Sequence, residues 1–447
     1  MTIIAFILLT LIVYHHLGYP LLLKAAAHIK STRFNSGEIL NNAVPSYTDK
    51  PLLPSIHIIV PAFNEERIIQ QKIDSIGWLD YPDDRLTVSI YCDGCTDGTV
   101  RKAIQAQGEF YNRELDIRIV NIKKNGGKVS IVNRALSESK EEIIVFSDSS
   151  AILDQDVLWR SAQHFMNDSN IAVVTGDYSV ISTAADNKGS ESTSSSSSNS
   201  SSNSGETNYW KYQNNVRELE STLGSVMGVT GAYYAIRRDC CEKLELDTIN
   251  DDFILPMRTV AKGYKAIFDK KIGIFETEPT PLAADAQRRR RISQGNTQQI
   301  FRLTTLLAPS LNFNRMLIQW MFVSGKCLRV IMPYLLISLL LISAVLSVNS
   351  LAFTLLFLAQ LSAYLLAGIK HLANKELQVE SKTSSKVKTM IKRLLESKII
   401  LLNSYICQGH LMGLIGSLDY IKEIVKQKVL GKEQSIGWKK INVEMNK

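Results

Sequence analysis

The chain has 447 residues, 45% of them hydrophobic and 21% charged, so it is long enough for one large domain and a further module. Six cysteines with no paired spacing beyond Cys92 and Cys95 exclude a disulfide framework or a zinc module and fit a reducing compartment. The net charge of +8 gathers beside apolar segments and in the run Arg288 to Arg291, without the interleaved aromatics of a nucleic-acid groove, so nucleic acid is not an expected partner.

From Ile3 to Leu23 the residues are overwhelmingly apolar over about the length a spanning helix needs. No basic stretch precedes them, so residues 1–27 are expected to be an uncleaved N-terminal transmembrane anchor rather than a signal peptide. Between Pro51 and Asp269, β-rich runs alternate with helical patterns. The expected strands are Ile56–Val60, Leu86–Cys92, Ile117–Ile122, Ile143–Ser147 and Ile171–Val180, with helices following from Glu65, Thr96, Lys128 and Asp156. These runs are nearly all apolar, as in a mostly parallel α/β sheet buried on both faces, and the domain is placed at 51–300. Residues 189–205 are almost pure serine and asparagine, a composition expected to form a disordered surface loop.

Beyond this domain, 301–327 is expected to be an interfacial helix or linker. Residues 328–370 form a transmembrane hairpin that turns at Asn349-Ser350. The basic stretch 371–396 is assigned to the cytoplasm by the positive-inside rule. Residues 397–420 contain Asn403, Gln408, Gly409 and His410 and are expected to be membrane-associated or re-entrant, followed by a basic tail at 421–447. A hairpin returns the chain to the side where it began. The sheet domain is therefore expected on the cytoplasmic side of a multi-pass protein of the inner (plasma) membrane, with membrane lipids as neighbours.

Polar residues cluster where the expected strands end. The first strand runs into Pro61-Ala62-Phe63-Asn64-Glu65 and the second into Asp93-Gly94-Cys95-Thr96-Asp97. This edge of an open α/β sheet is where nucleotides bind, although Asp93-Gly94 also reads as a turn and Asp97 as a helix cap. Asn125-Gly126-Gly127-Lys128 combines close backbone approach with a positive charge at a helix start, which suits a diphosphate or a plain glycine turn; the P-loop spacing is missing. The fourth strand ends in Phe146-Ser147-Asp148-Ser149-Ser150, where Asp148 can hold a divalent cation. Asp154-Gln155-Asp156 sits before a helix pattern and reads as a cap.

Taken in order, P-A-F-N-E, D-G-C-T-D-G-T, N-G-G-K, F-S-D-S-S, N-D-D-F-I-L-P and R-R-R-R-I-S-Q-G-N resemble the inverting family 2 glycosyltransferases with a GT-A fold, over roughly Ser55 to Gln299. The flanking helices resemble the membrane-bound branch that builds bacterial polysaccharides. The resemblance implies a Rossmann-like nucleotide-diphospho-sugar transferase domain in which Pro61, Ala62, Asn64, Glu65, Asp93, Lys128 and Asp148 hold the donor, a UDP-sugar. Asp148 would carry the divalent cation, Mg2+ or Mn2+. Asp252 would be the catalytic base, chosen over Asp251 because the family pattern is an acidic pair whose second member acts on the acceptor. Arg290 and Arg291 would face the leaving diphosphate, and Thr230, Gly231 and Asp251 the acceptor.

Two departures stand out. Ser150 occupies a place where the family often has a second metal acid, so coordination would rest on Asp148, the diphosphate and water. The Q-x-x-R-W of processive synthases is missing, and the offset to Gly295 is best met with Arg291 in the arginine place and Ile292 in the tryptophan place. The implied function is transfer of a sugar to a lipid-linked or polysaccharide acceptor in cell-surface polysaccharide biosynthesis. A processive synthase coupled to export and a non-catalytic nucleotide-binding scaffold are the alternatives.

Overall fold

The computed structural model describes residues 1–34, 53–108, 115–181, 201–276, 282–378 and 397–430. At the N-terminus α1 (Thr2–Val13) and α2 (Tyr19–Phe34) form one continuous helix through a π-helical turn at Tyr14–Gly18. The sheet domain then follows a β/α alternation: β1 (Ile56–Ala62), α3 (Ile69–Gly77), β2 (Leu86–Asp93), α4 (Thr99–Gly108), β3 (Asp116–Ile122), α5 (Lys128–Glu138), β4 (Ile143–Phe146), β5 (Ala151–Leu153), α6 (Val157–Asn167) and β6 (Ile171–Val180). The domain is completed by α7 (Ser201–Leu223), β7 (Tyr234–Arg237), α8 (Asp251–Ala261), β8 (Lys265–Glu276) and α9 (Leu282–Arg302).

Eight strands form one sheet in the order β3-β2-β1-β4-β7-β6-β8-β5. Strands β3, β2, β1 and β4 are parallel, whereas β7 runs antiparallel to both β4 and β6. The mostly parallel sheet therefore carries an antiparallel insertion at its centre that the apolar runs alone did not reveal. Alternation along β1 feeds two cores. Ile56, Ile58 and Val60 pack with Ile69, Ile73 and Val88 on one face, while Ile59 packs with Val132, Tyr234 and Ile254 on the other. Burial of both faces follows from the continuous apolar character of these strands.

The second core does not stop at the sheet domain. Leu23 and Ala27 of α2 belong to it, as do Met321 and Phe322 of α10 (Phe313–Phe322). Helix α10 passes through a second π-helical turn, Val323–Cys327, directly into α11 (Leu328–Leu346). The first limb of the expected hairpin thus begins at Phe313, inside the stretch assigned to an interfacial linker. Helix α12 (Leu351–Gln378) returns, and among the described residues three helical stretches are long and apolar enough to cross a membrane: Thr2–Thr32, Phe313–Leu346 and Leu351–Leu372.

The segment expected to be membrane-associated or re-entrant is one unbroken helix, α13 (Lys398–Leu430). It lies along α9, α11 and α12, with Asn403 donating to the Ala363 carbonyl at 2.8 Å and Tyr334 bonded to Ser417 at 2.6 Å. Asn403 and Ser417 are thereby turned to neighbouring helices. Residues 182–200 of the serine-rich region, 379–396 of the basic stretch and 431–447 of the tail lie outside the described residues, and the last five residues of the expected 189–205 loop open α7.

Candidate active site

In the parallel half, the chain moves outward from β1 to β2 and β3 and then crosses back to β4. The crevice between the carboxyl ends of β1 and β4 is therefore a topological switch point, where open α/β sheets bind ligands. The loop after β1 and the Asp148 loop flank it. The loops are tied together from beneath: Ser149 donates to the Pro61 carbonyl at 2.9 Å, and Cys95 donates to the Ala62 carbonyl at 3.5 Å. Asn64 takes a left-handed conformation, φ 56°, and its side-chain oxygen accepts the Thr96 N–H at 2.8 Å. The Glu65 N–H donates to Thr99 at 2.8 Å, joining this loop to the start of α4.

Asp93 is buried at the end of β2. Its carboxylate accepts the N–H groups of Gly126 at 2.9 Å and Gly127 at 2.8 Å. Both oxygens are thus engaged by the glycine turn, which places Asp93 beneath the phosphate-type loop rather than at its open side. Gly127 has φ 86°, a conformation that a side chain disfavours, and it delivers Lys128 to the first position of α5.

Lys128 reaches across the crevice. Its ammonium lies 2.9 Å from Asp148 Oδ1 and 3.7 Å from Asp251 Oδ2. Burial works against the charged form, yet Asp148, Asp251 and Asp252 together raise the Lys128 pKa above its usual range. Gly231 lies between Asp252 and Asp148. A Cβ there would lie 2.9 Å from Asp252 Oδ2 and 3.3 Å from Asp148 Oδ2, so both carboxylates line one space and a larger residue would have to displace them. Burial, then the Asp251 carboxylate, push the Asp252 pKa up to about 6. Thr230 is buried, with its hydroxyl accepting the Ala232 N–H at 3.4 Å and its carbonyl the Tyr233 N–H at 3.3 Å.

The two arginines part company. Arg291 is close enough for its charge to bear on Asp252. Arg290 instead donates from Nε to Asp419 of α13 at 2.5 Å. Neighbours in a helix point about 100° apart, and here the two side chains take different partners. Exposed ion pairs of this kind contribute little. Arg290→Ala is therefore expected to leave turnover within about twofold of the parent, whereas Arg291→Ala lowers it at least about tenfold. Steady-state rates of the two purified variants check this, and equal losses would count against the division.

Three groups were missed by sequence reasoning. Lys72 is fully enclosed, and its ammonium donates to Ser147 Oγ and the Ala151 carbonyl, each at 2.7 Å. Burial pulls its pKa down to about 7. Ser147 in turn donates to the Ala232 carbonyl at 2.8 Å, so this network fixes the Asp148 loop against the Gly231 turn. The signal was present: Lys72 interrupts the apolar stripe of Ile69, Ile73 and Ile76 on α3. Tyr234 is the third group. Its buried hydroxyl has no hydrogen-bond partner among the described residues and lies in the field of Asp148, Asp251 and Asp252.

A divalent cation fits this donor set in a particular way. Asp148 has a side chain 41% exposed and a second oxygen not engaged by Lys128, and hard cations take carboxylate, phosphate and water oxygens. Among the described residues no three His, Cys, Asp or Glu side chains form a ready cage, so most of the shell would come from ligand and water. The orphaned Tyr234 hydroxyl is a group that such a water would satisfy.

A parallel half carrying an acid-lined switch point, joined to an antiparallel half that delivers a second acidic pair, defines a GT-A glycosyltransferase. The chain belongs to glycosyltransferase family 2: the family described as "Glycosyltransferase like family 2" matches residues 54–295. It is 25% identical over 250 residues to the "Probable glycosyltransferase YdaM" of Bacillus subtilis (strain 168), covering 55% of this chain and 56% of that protein. It is 28% identical over 193 residues to an "N-acetylglucosaminyltransferase" of Rhizobium meliloti (strain 1021), covering 43% of this chain and 41% of that one. The chain thus spans about half the length of the curated relatives it matches. Among solved structures, the mannosyltransferase PcManGT from Pyrobaculum calidifontis, in complex with GDP-Man and Mn2+, superimposes with a TM-score of 0.61 at 19% identity, covering 93% of this chain and 99% of that one. That likeness shows the fold.

Proposed function

We propose that the chain is an inverting, divalent-cation-dependent transferase that moves a sugar from a UDP-sugar to a lipid-linked or polysaccharide acceptor during cell-surface polysaccharide synthesis, working at the cytoplasmic face of the plasma membrane. The observation that carries this reading is the meeting of Asp252 and Asp148 across Gly231, with Lys128 bonded to Asp148.

In this reading the acceptor hydroxyl sits at Asp252, which takes its proton as the oxygen attacks the anomeric carbon. The bond from that carbon to the β-phosphate oxygen breaks, and the nucleoside diphosphate leaves with the electron pair from the opposite face, inverting the centre. Lys128 and Arg291 face the charge that develops on it. A cation held by Asp148 would supply further charge neutralisation there. Asp93 and the Pro61–Glu65 loop hold the nucleotide end, Asp93 acting through the glycine turn it anchors. Thr230, Gly231 and Asp251 shape the acceptor side. The names of the relatives support transfer of a sugar, and the three apolar helices support a membrane setting.

The test is a panel of labelled nucleotide sugars offered to the purified full chain in lipid nanodiscs, with Mg2+, Mn2+ or a chelator. The expected result is turnover of one UDP-sugar that is lost on chelation and restored by cation. Tight donor binding with no turnover under any condition would defeat the proposal. Product length then separates single addition from polymerisation.

A further inference from the structure

The segment that leads into α8 is clasped by α9. Gln298 is buried, and it accepts the Ile249 N–H and donates to the Asp247 carbonyl, each at 2.9 Å. Arg302 pairs with Asp247 and donates to Thr248. Asn250 donates to the Ile292 carbonyl at 3.3 Å, and its amide lies against Gly295, where a Cβ would stand 2.4 Å from Asn250 Cγ and Nδ2. The Asn250 carbonyl accepts the Phe253 and Ile254 N–H groups at 3.2 and 3.1 Å, so it opens the helix on which Asp251 and Asp252 stand. Arg291, Gly295, Gln298 and Arg302 recur at the spacing of one helical face. The face of α9 that carries Arg291 is therefore the face seated on the start of α8.

A second face of α9 is covered by α13, which lies wholly outside the family match at 54–295. A Cβ at Gly416 would lie 2.6 Å from the Arg290 carbonyl oxygen, and 2.7 Å from the Gln294 nitrogen and from Ser293 Cβ. These atoms flank Arg291 and belong to the helix itself, so no change of rotamer moves them aside. Small residues let helix backbones approach this closely. Helix α13 is also fastened elsewhere: Ser417 is bonded to Tyr334 of α11, Asn403 donates to the Ala363 carbonyl of α12, and a Cβ at Gly413 would already touch Pro333 Cγ at 3.4 Å. It cannot retreat from added bulk without losing those contacts.

A methyl group at Gly416 would have to force α9 and α13 apart by about 1 Å before ordinary contact is regained. A misplacement of that size around a reacting centre costs on the order of 10²-fold in rate when it is transmitted in full. Lys128 and Asp148 belong to other elements, so the loss falls on turnover and spares the donor.

We propose that α13 is a positioning element for the transfer: packed on α9 through Gly416, it holds the face that carries Arg291 and Gly295 against Asn250 and so keeps Arg291 and Asp252 in register. This inference rests on the transferase reading and gives the C-terminal helix a part in it.

The test compares two alanine variants of the full chain in nanodiscs, with UDP and Mn2+ as the binding probe. Both variants gain helix propensity on α13. A Cβ at Gly409, however, meets nothing within 4 Å among the described residues. Gly416→Ala is expected to lower kcat, counted per UDP-binding site, at least about tenfold, with donor KM and UDP affinity within about threefold of the parent. Gly409→Ala should stay within about twofold. A purely structural role would reduce the number of binding sites and leave turnover per site unchanged. That result would overturn the inference, as would parent-like turnover of Gly416→Ala or an equal loss in Gly409→Ala. Should Gly416→Ala bind no UDP, and so be misfolded, Tyr420→Ala makes the same comparison. It removes the ring that packs on Phe301 of α9 at 6.0 Å and forces nothing apart. Its kcat per site should fall at least about threefold, and a parent-like value would overturn the inference. A parent that turns over no UDP-sugar would sink the transferase reading and this inference with it, whereas an active parent beside an unaffected Gly416→Ala removes the inference alone.

Discussion

Replacing Asp252 with asparagine is expected to lower turnover by roughly 10²–10⁴-fold, the range a positioned general base contributes, with donor affinity kept within about threefold. Asparagine has the same shape and fits between Gly231 and Asp251, but it cannot accept the acceptor's proton. Lys128 keeps its contacts with Asp148 and Asp251, so the donor side should hold together. The pH profile provides an independent check. Below a pKa of about 6 the Asp252 carboxyl is protonated and cannot act as a base, so kcat/KM of the parent should climb as pH rises through that value and then level off. Single-turnover rates across pH, beside competition binding of a labelled nucleotide, measure both. An asparagine variant within tenfold of the parent, or one that keeps the parent's acid limb, would remove Asp252 from the chemistry.

Asp93→Ala should act through the fold as well as the donor. Its carboxylate satisfies the N–H groups of Gly126 and Gly127, and the second of these is buried with no route to water. An orphaned buried donor together with the lost charge-assisted bonds costs about 2–3 kcal/mol, which corresponds to a fall in melting temperature on the order of 5–10 °C. The same change releases the turn that aims Lys128, so donor affinity should fall at least about tenfold. Asp93→Asn keeps one acceptor oxygen and should lose less on both scales. Thermal melts and nucleotide titrations of the two variants decide the matter; an alanine variant that melts and binds like the parent would show the clamp to be idle.

The parallel half of the sheet was legible because β1, β2 and β4 are mostly apolar runs bounded by turns, and β3, at the sheet edge, still sets Ile117, Ile119, Val120 and Ile122 among Asp116, Arg118 and Asn121. The antiparallel half was not. Strand β7 has four residues, β5 has three, and β8 is interrupted by Asp269-Lys270-Lys271, so none offers a long apolar run. The acids were readable as strand ends and as a helix start. What the sequence could not supply was direction. It did not show that Asp93 turns under the glycine loop, that Arg290 and Arg291 diverge, or that Tyr234 leaves a hydroxyl beside the acids. Lys72 was visible as a charge on an apolar stripe, yet its partners lie about 75 residues away, beyond the reach of any local pattern.

The core that Leu23, Ala27, Met321 and Phe322 share with Ile254 and Met257 has a mechanical corollary. A transferase hung from a flexible tether could sample many heights above the bilayer, and its substrates would have to find it. Here interlocked side chains fasten the acid cluster to the apolar helices, so that helices and site move as one body.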